Sequence, residues 1–490
     1  MFLEPTGLVL SRAPGGGHPL YYAHLPEGGV LVCTRLEPLS RITGARVSPS
    51  AAAHLLAKWS ESGSAFPSPL EGISCLSTNE RIHVDSAGGT RRSACMSPEG
   101  DLAGCSTGEA VTELWTQVCA AVRRAAGDAE RIAVLLSGGL DSSGLLAALL
   151  REGRRVMPIT LDFEGPGDDR PHVRALEEAF GLEVVRIAPL EARDFWREVL
   201  VVDAAPFLNV SGPFELLFSR KAAALGADLL LTGAAGDDVF SGDLRAYAAE
   251  FRERPLATAI SVLGLELPWS VGALRRLQHY VIEPLLGGTP LAEPLRRRRA
   301  RRLMDRFPFA GPGLKSVLVQ AGADSVDARE PPTSTAERFS WIAEGAWVSE
   351  AAERRSQIEI LTGVRRRDPF LDPELLAFVA KLPVSMLQRG GWYRGLYRSA
   401  LAGRLPESVR MRRDKGDIGP AIFALIEAQG GVDAFSELLS MEATGALGLI
   451  HPPAFLRWAV RLRERSALGL DEAAILFRAL SLEAFARGYS

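Results

Sequence analysis

The sequence predicts an α/β protein with a β-rich opening part, a central part built on a parallel sheet, and a largely helical end. Three observations carry that expectation. From residue 108 onward, apolar runs of strand length alternate with stretches of helical spacing, the pattern of parallel units in which a helix follows each strand. The stretch RIAVLLSGGLDSSGLLAALL, Arg131 to Leu150, is apolar from Ile132 to Leu136, breaks at Ser137-Gly138-Gly139, and resumes at helical spacing in Leu140, Gly144, Leu145, Ala148 and Leu149. That is a strand, a glycine turn and a helix. Before residue 107, by contrast, the segments are short and bounded by turn residues.

Taken in order, YYAHLP and GGVLVCTRL read as short strands, SPSAAAHLLAKW as a helix, and RIHVDSAGGTRR as two strands around Ala87-Gly88-Gly89. Met96 to Thr107 reads as a polar linker, which divides the chain into domains 1–107 and 108–490. A helix is then expected over Val111 to Ala126, followed by the strand before Ser137 and a second strand in VMPITLDF. RPHVRALEEAFG is a helix closed by Gly181, LEVVRIA a third strand, and Asp228 to Thr232 a fourth. Beyond Gly242 the pattern is mostly helical, so the ligand-bearing turns fall at the C-terminal ends of strands.

Composition narrows the function classes. A chain of 490 residues with 47% hydrophobic residues can bury real cores. Its formal net charge of -3 gives no overall drive towards nucleic acid or an anionic membrane. The absence of a long apolar run and of a basic, apolar start implies a soluble cytoplasmic protein without a transmembrane segment. The five cysteines, Cys33, Cys75, Cys95, Cys105 and Cys119, are scattered without CxxC spacing, which argues for reduced thiols and against a metal centre built on sulfur.

The glycine turn presents backbone N–H groups and a positive helix end, so its natural guest is a phosphate. A P-loop would need GxxxxGK(S/T) and a dinucleotide site GxGxxG, and neither is here. What stands instead is Ser137-Gly138-Gly139-Leu140-Asp141-Ser142-Ser143. Hydroxyls and amides can hold a pyrophosphate, and Asp141 is a hard oxygen ligand suited to Mg²⁺.

This motif resembles the pyrophosphate loop of the N-type ATP pyrophosphatases, and three further segments are similar to the asparagine-synthetase-like branch of that family. They are LTGAAGDDVFSGD (Leu231 to Asp243), RRRDPFLDPELLAFVAKLP (Arg365 to Pro383) and LYRSALAGRLPESVRMRRDKGD (Leu396 to Asp417). The resemblance covers residues 131–417 and implies an ATP pyrophosphatase domain over 108–490 behind a degenerate glutaminase-like (Ntn-type) domain over 1–107. It implies ATP and Mg²⁺ as cofactors, with Asp141 and Asp237 on the metal. The nucleotide would meet Ser137, Gly138, Gly139, Ser142, Ser143, Gly233 and Arg394, with Arg398 in a similar position. Lys415 would be the cation facing charge that develops on carbonyl and phosphate oxygens, a contribution of roughly 3 to 4 kcal/mol per donor. The implied reaction joins AMP to a carboxylate, which an amine then attacks.

Two departures shape the expectation further. Asparagine synthetases carry a cysteine nucleophile after Met removal, where this chain has Phe2, so ammonia from glutamine is not expected. At Ala234 the family carries a glutamate or, in β-lactam synthetases, a tyrosine of a proton-removing pair. Alanine does neither job, which suits a peptide α-amine, with pKa about 8 and partly neutral already. The chain is therefore most similar to the lasso peptide macrocyclases, which join a side-chain carboxylate of a core peptide to its own N-terminus. Intramolecular attack gains effective molarities of about 10⁵ M or more.

That resemblance implies a ribosomally made precursor peptide as partner, with a leader-binding protein and a leader peptidase as candidate partners and no nucleic acid. Asp238 is a candidate residual base, or a turn residue beside the metal ligand. An amidotransferase, a β-lactam-type synthetase and a non-catalytic peptide- or nucleotide-binding homologue are the alternatives. Arg296 to Arg302, six arginines in seven positions, is a solvated helix face or a site for an acidic peptide or nucleic acid. Glu353 and Glu359, upstream of PFLD, are given no catalytic role.

Overall fold

The computed structural model describes the chain except residues 1, 5–6, 27, 58–66, 86–88, 166–167, 201–204, 268–271, 288, 324–330, 414–415, 464–468 and 490. Its central sheet has five strands in the order Val185–Ile187, Val156–Leu161, Ile132–Leu135, Leu229–Leu231 and Arg365–Arg367, every neighbouring pair parallel. Ile132, Ala133, Val134 and Leu229 to Leu231 are buried, as continuous apolar strands covered on both faces must be. From Ile132–Leu135 the chain first moves outward through Val156–Leu161 and Val185–Ile187. It then returns on the other side of the first strand at Leu229–Leu231. The C-terminal ends of Ile132–Leu135 and Leu229–Leu231 thus flank a topological switch point, the place where open α/β sheets hold ligands.

The edge strand Arg365–Arg367 has no apolar signature, and the sequence marks it only as the start of a segment similar to the asparagine-synthetase-like branch. Its alternation is nonetheless that of a strand: Arg366 is buried and reaches Glu215 at 3.1 Å, whereas Arg365 is exposed. Pairing with Leu229–Leu231 and an ionic partner replace the usual apolar face.

The helix expected from Val111 starts earlier, at Thr107, because Ser106 and Glu109 form a capping box. Nor is the stretch before it a free linker. Leu102 N–H donates to the Lys381 carbonyl at 2.8 Å, and Thr335 Oγ1 donates to the Gly100 carbonyl at 2.6 Å. The helix Arg170–Phe180 ends at Gly181 in the left-handed conformation, as its sequence predicts.

The opening part carries a four-stranded antiparallel sheet (Phe2–Glu4, Gly7–Ser11, Glu80–Asp85, Thr90–Ala94) and a three-stranded one (Val30–Cys33, Tyr21–His24, Ser74–Cys75). Tyr21, Leu36 and Leu56 belong to the same apolar cluster as Ile159, Leu230 and Phe477 of the later chain. A polar knot lies in this junction, where the buried Tyr21 hydroxyl donates to Glu353 Oε1. Burial raises the Glu353 carboxyl to about 7, against the opposing pull of the Tyr21 hydrogen bond and Arg12. The five cysteines are free thiols. Among the described residues no helix is long and apolar enough to cross a membrane.

Candidate functional site

A cleft of about 830 Å³ opens at the switch point. One end is made by the turn after Ile132–Leu135 and the turn after Leu229–Leu231, which touch backbone to backbone. A Cβ on Gly233 would lie 2.8 Å from the Ser142 amide nitrogen, so only glycine allows the approach. Gly138 sits at φ +61°, and a Cβ there would meet His172 Cβ at 2.7 Å, which accounts for the glycine and for the place of His172 behind the loop. Within the loop, Ser137 Oγ and Ser142 Oγ are 3.1 Å apart, and Ser137 N–H donates to Ser142 Oγ at the same distance. Ser137, Gly139, Asp141, Ser142, Gly233, Asp237 and Asp238 line the cleft. Gly138 does not, and Ser143 is fully buried behind the loop.

The two expected metal carboxylates converge on one guanidinium. Arg394 Nη1 lies 2.6 Å from both Asp141 oxygens and 3.0 Å from Asp237 Oδ1. Burial alone would lower the Arg394 pKa, but Asp141 and Asp237 together outweigh it and hold the cation firmly charged. Two residues here take the left-handed backbone that non-glycine residues avoid: Arg394 at φ 58° and Ala235, in the turn between Gly233 and Asp237, at φ 70°. Such strain is concentrated at functional sites.

A second basic layer covers the cleft. Arg398 donates to the carbonyls of Tyr393, Arg410 and Arg412, while burial and the neighbouring Arg394 lower its pKa to about 10. Arg412 reaches Asp169 at 2.7 Å, and the Cβ that Gly416 lacks would strike the same carboxylate. Asp169 is therefore packed between Arg412 and Gly416. Arg412, Arg413 and Gly416 line the cleft, whereas Lys415 lies outside the described residues.

Apart from Arg366, a further part of the cleft lining escaped the sequence reading. Ser211, Phe214, Glu215 and Phe218 form its wall with Arg354 and Arg366. Glu215 meets Arg354 at 3.0 Å and Arg366 at 3.1 Å. The signal was faint, a Ser-Gly-Pro helix start at Ser211 with a Glu in its first turn. Ala234 also lines the cleft and presents only a methyl group to it.

The donors present suit a divalent cation held together with a polyphosphate. Among the described residues no group of three or more His, Cys, Asp or Glu side chains could hold a metal, so Asp141 and Asp237 would share one with ligand oxygens. A hydroxyl- and amide-rich loop, an acid pair and a layer of arginine at a sheet's switch point define a doubly wound α/β protein with a polyphosphate-type cleft. The chain matches the asparagine synthase family over residues 114–486, most of its length, and it belongs to that family. Relatives named "Putative asparagine synthetase (glutamine-hydrolyzing)" in Mycobacterium bovis and in two strains of Mycobacterium tuberculosis are 25% identical over 303 residues. The match takes in 58% of this chain and 44% of each relative.

Proposed function

We propose that the chain is an ATP-dependent, AMP-forming peptide cyclase of the lasso type. It would adenylate an Asp or Glu side chain of a precursor peptide and close an isopeptide bond with the peptide's own N-terminal amine. Family membership and the switch-point cleft support the ATP-using, amide-forming part of this reading. The observation that carries the finer part is Ala234: in the cleft lining, where relatives of this type keep a glutamate or tyrosine, there is only a methyl group. A nucleophile that already carries a free amine pair needs no strong base at that point.

In this reading Ser137, Gly139, Ser142 and Gly233 would seat the phosphates, and Asp141 and Asp237 would hold Mg²⁺, which would supply charge neutralisation for the phosphates. The substrate carboxylate oxygen attacks the α-phosphorus and pyrophosphate leaves. The amine nitrogen then attacks the acyl carbon, AMP leaves, and the amine proton passes to Asp238 or to water. Arg394, which lines the cleft beside the acid pair, would face phosphate oxygens, and Lys415 would meet the developing oxyanion. Residues 1–107 would be a glutaminase-like domain without that chemistry.

The test incubates the full chain with ATP, Mg²⁺ and precursor peptide. The expected result is loss of one water from the peptide with release of AMP and pyrophosphate. ADP release, or amidation that depends on glutamine or ammonia, overturns the proposal. Lys415→Ala should stop ring closure, and an active variant refutes its role.

A further inference from the structure

The arginine-rich helix Glu293–Asp305 is not a uniform solvated face. Arg296 donates to the Gly287 carbonyl, Arg297 pairs with Glu293 at 2.8 Å and Arg299 with Glu283 at 2.6 Å. Arg298 and Arg302, one turn apart, make no ion pair among the described residues, and neither does Arg275. All three line a groove of about 430 Å³, separate from the ATP-type cleft. Its floor is Glu283, 8% exposed and fixed by Gln278 at 3.0 Å, His279 at 3.2 Å and Arg299. The backbone there is a π-turn in which Glu283 N–H donates to the Gln278 carbonyl, a geometry often found at functional sites. The elements framing the groove also carry Leu274 (79% exposed) and Ile282 (46%).

We propose that this groove docks an acidic peptide segment with apolar residues among its carboxylates. Guanidinium forks match carboxylates in geometry and charge, and the exposed Leu274 and Ile282 supply the apolar half of the contact. A nucleic acid fits worse, because the floor carries a carboxylate and, among the described residues, no Trp, Tyr or Phe lines the groove for base stacking. The assignment stands independently of which carboxylate the cleft activates.

The test measures fluorescence anisotropy of the full chain with a labelled peptide of repeating Glu-Glu-Leu units. Arg298→Glu with Arg302→Glu should weaken binding by about tenfold or more, with ATP turnover unchanged. Arg301→Glu, an exposed change on the same helix outside the groove, should leave binding within about twofold. Leu274→Asp should also weaken it. The proposal is overturned if Arg301→Glu weakens binding as much as the groove variants, if a single-stranded oligonucleotide binds more tightly than the peptide, or if sedimentation shows the groove covered in a dimer that the double variant splits.

Discussion

Two clusters in this molecule set carboxylates against arginine and buried tyrosine, and they resolve the resulting charge in opposite ways. At the switch point, Asp141 and Asp237 share Arg394, a cation held charged although it is nearly buried. At the junction with the opening sheets, Glu353 lies near Arg12 but hydrogen-bonds to Tyr21, and burial pushes its carboxyl towards the neutral form. The first cluster keeps its guanidinium charged at the edge of an open cleft, where a ligand can meet it. The second has no such outlet and favours loss of charge, which suits a packing joint.

The largest effect should come from the open cluster. Asp141→Asn or Asp237→Asn is expected to lower ATP-dependent AMP release by about a hundredfold or more, with the circular dichroism spectrum retained. Loss of AMP release in Glu353→Gln as well would break the distinction. Next, Arg394→Gln leaves two carboxylates facing each other near the cleft. Urea denaturation should show a loss of about 3 kcal/mol, reduced when Asp141→Asn is added.

Glu353 tests the closed cluster through pH. Its folded pKa, about 7, lies above the ordinary carboxylate value, so the folded chain binds the extra proton. Stability from this group is present below the ordinary value and is lost as pH rises through about 7. Glu353→Gln cannot ionise. It should match the parent near pH 5 and exceed it near pH 8 by on the order of 3 kcal/mol, with AMP release kept. Equal stability of the two proteins at pH 8 would place the Glu353 carboxyl back in the ordinary range.

How much of this could be read from the chain differs between the clusters for a physical reason. The Ser137 to Ser143 turn and the Gly233 to Asp238 turn are legible because each is a local solution, strand to glycine to helix, written in adjacent residues. Arg394 is named by the sequence only as a phosphate contact. Its grip on Asp141 and Asp237 depends on a long-range meeting, as does the pairing of Glu215 with Arg354 and Arg366. The pairing of Glu353 with Tyr21 is invisible by the same logic, since nothing beside Glu353 in the chain says that the two will meet. The arginine run shows the converse: six like residues in sequence separate into anchors and groove walls only once the π-turn and Glu283 are in place.

The smallest effect sharpens the closed cluster further. Tyr21→Phe removes one hydroxyl without changing the ring, leaving Glu353 Oε1 without that donor. With the acid neutral near pH 5, the loss should be about 1 kcal/mol, the ordinary net worth of a hydrogen bond. Near pH 8, where Glu353 is mostly ionised, the same hydroxyl donates to a charge and its loss should reach about 2 kcal/mol. The hydrogen bond also pulls the Glu353 pKa down, so removing it moves the stability loss to higher pH. Denaturation of Tyr21→Phe at the two pH values separates these effects. An equal loss at both would mean that the hydroxyl does not sense the charge on Glu353, and the closed cluster would then be a packing contact with no electrostatic part.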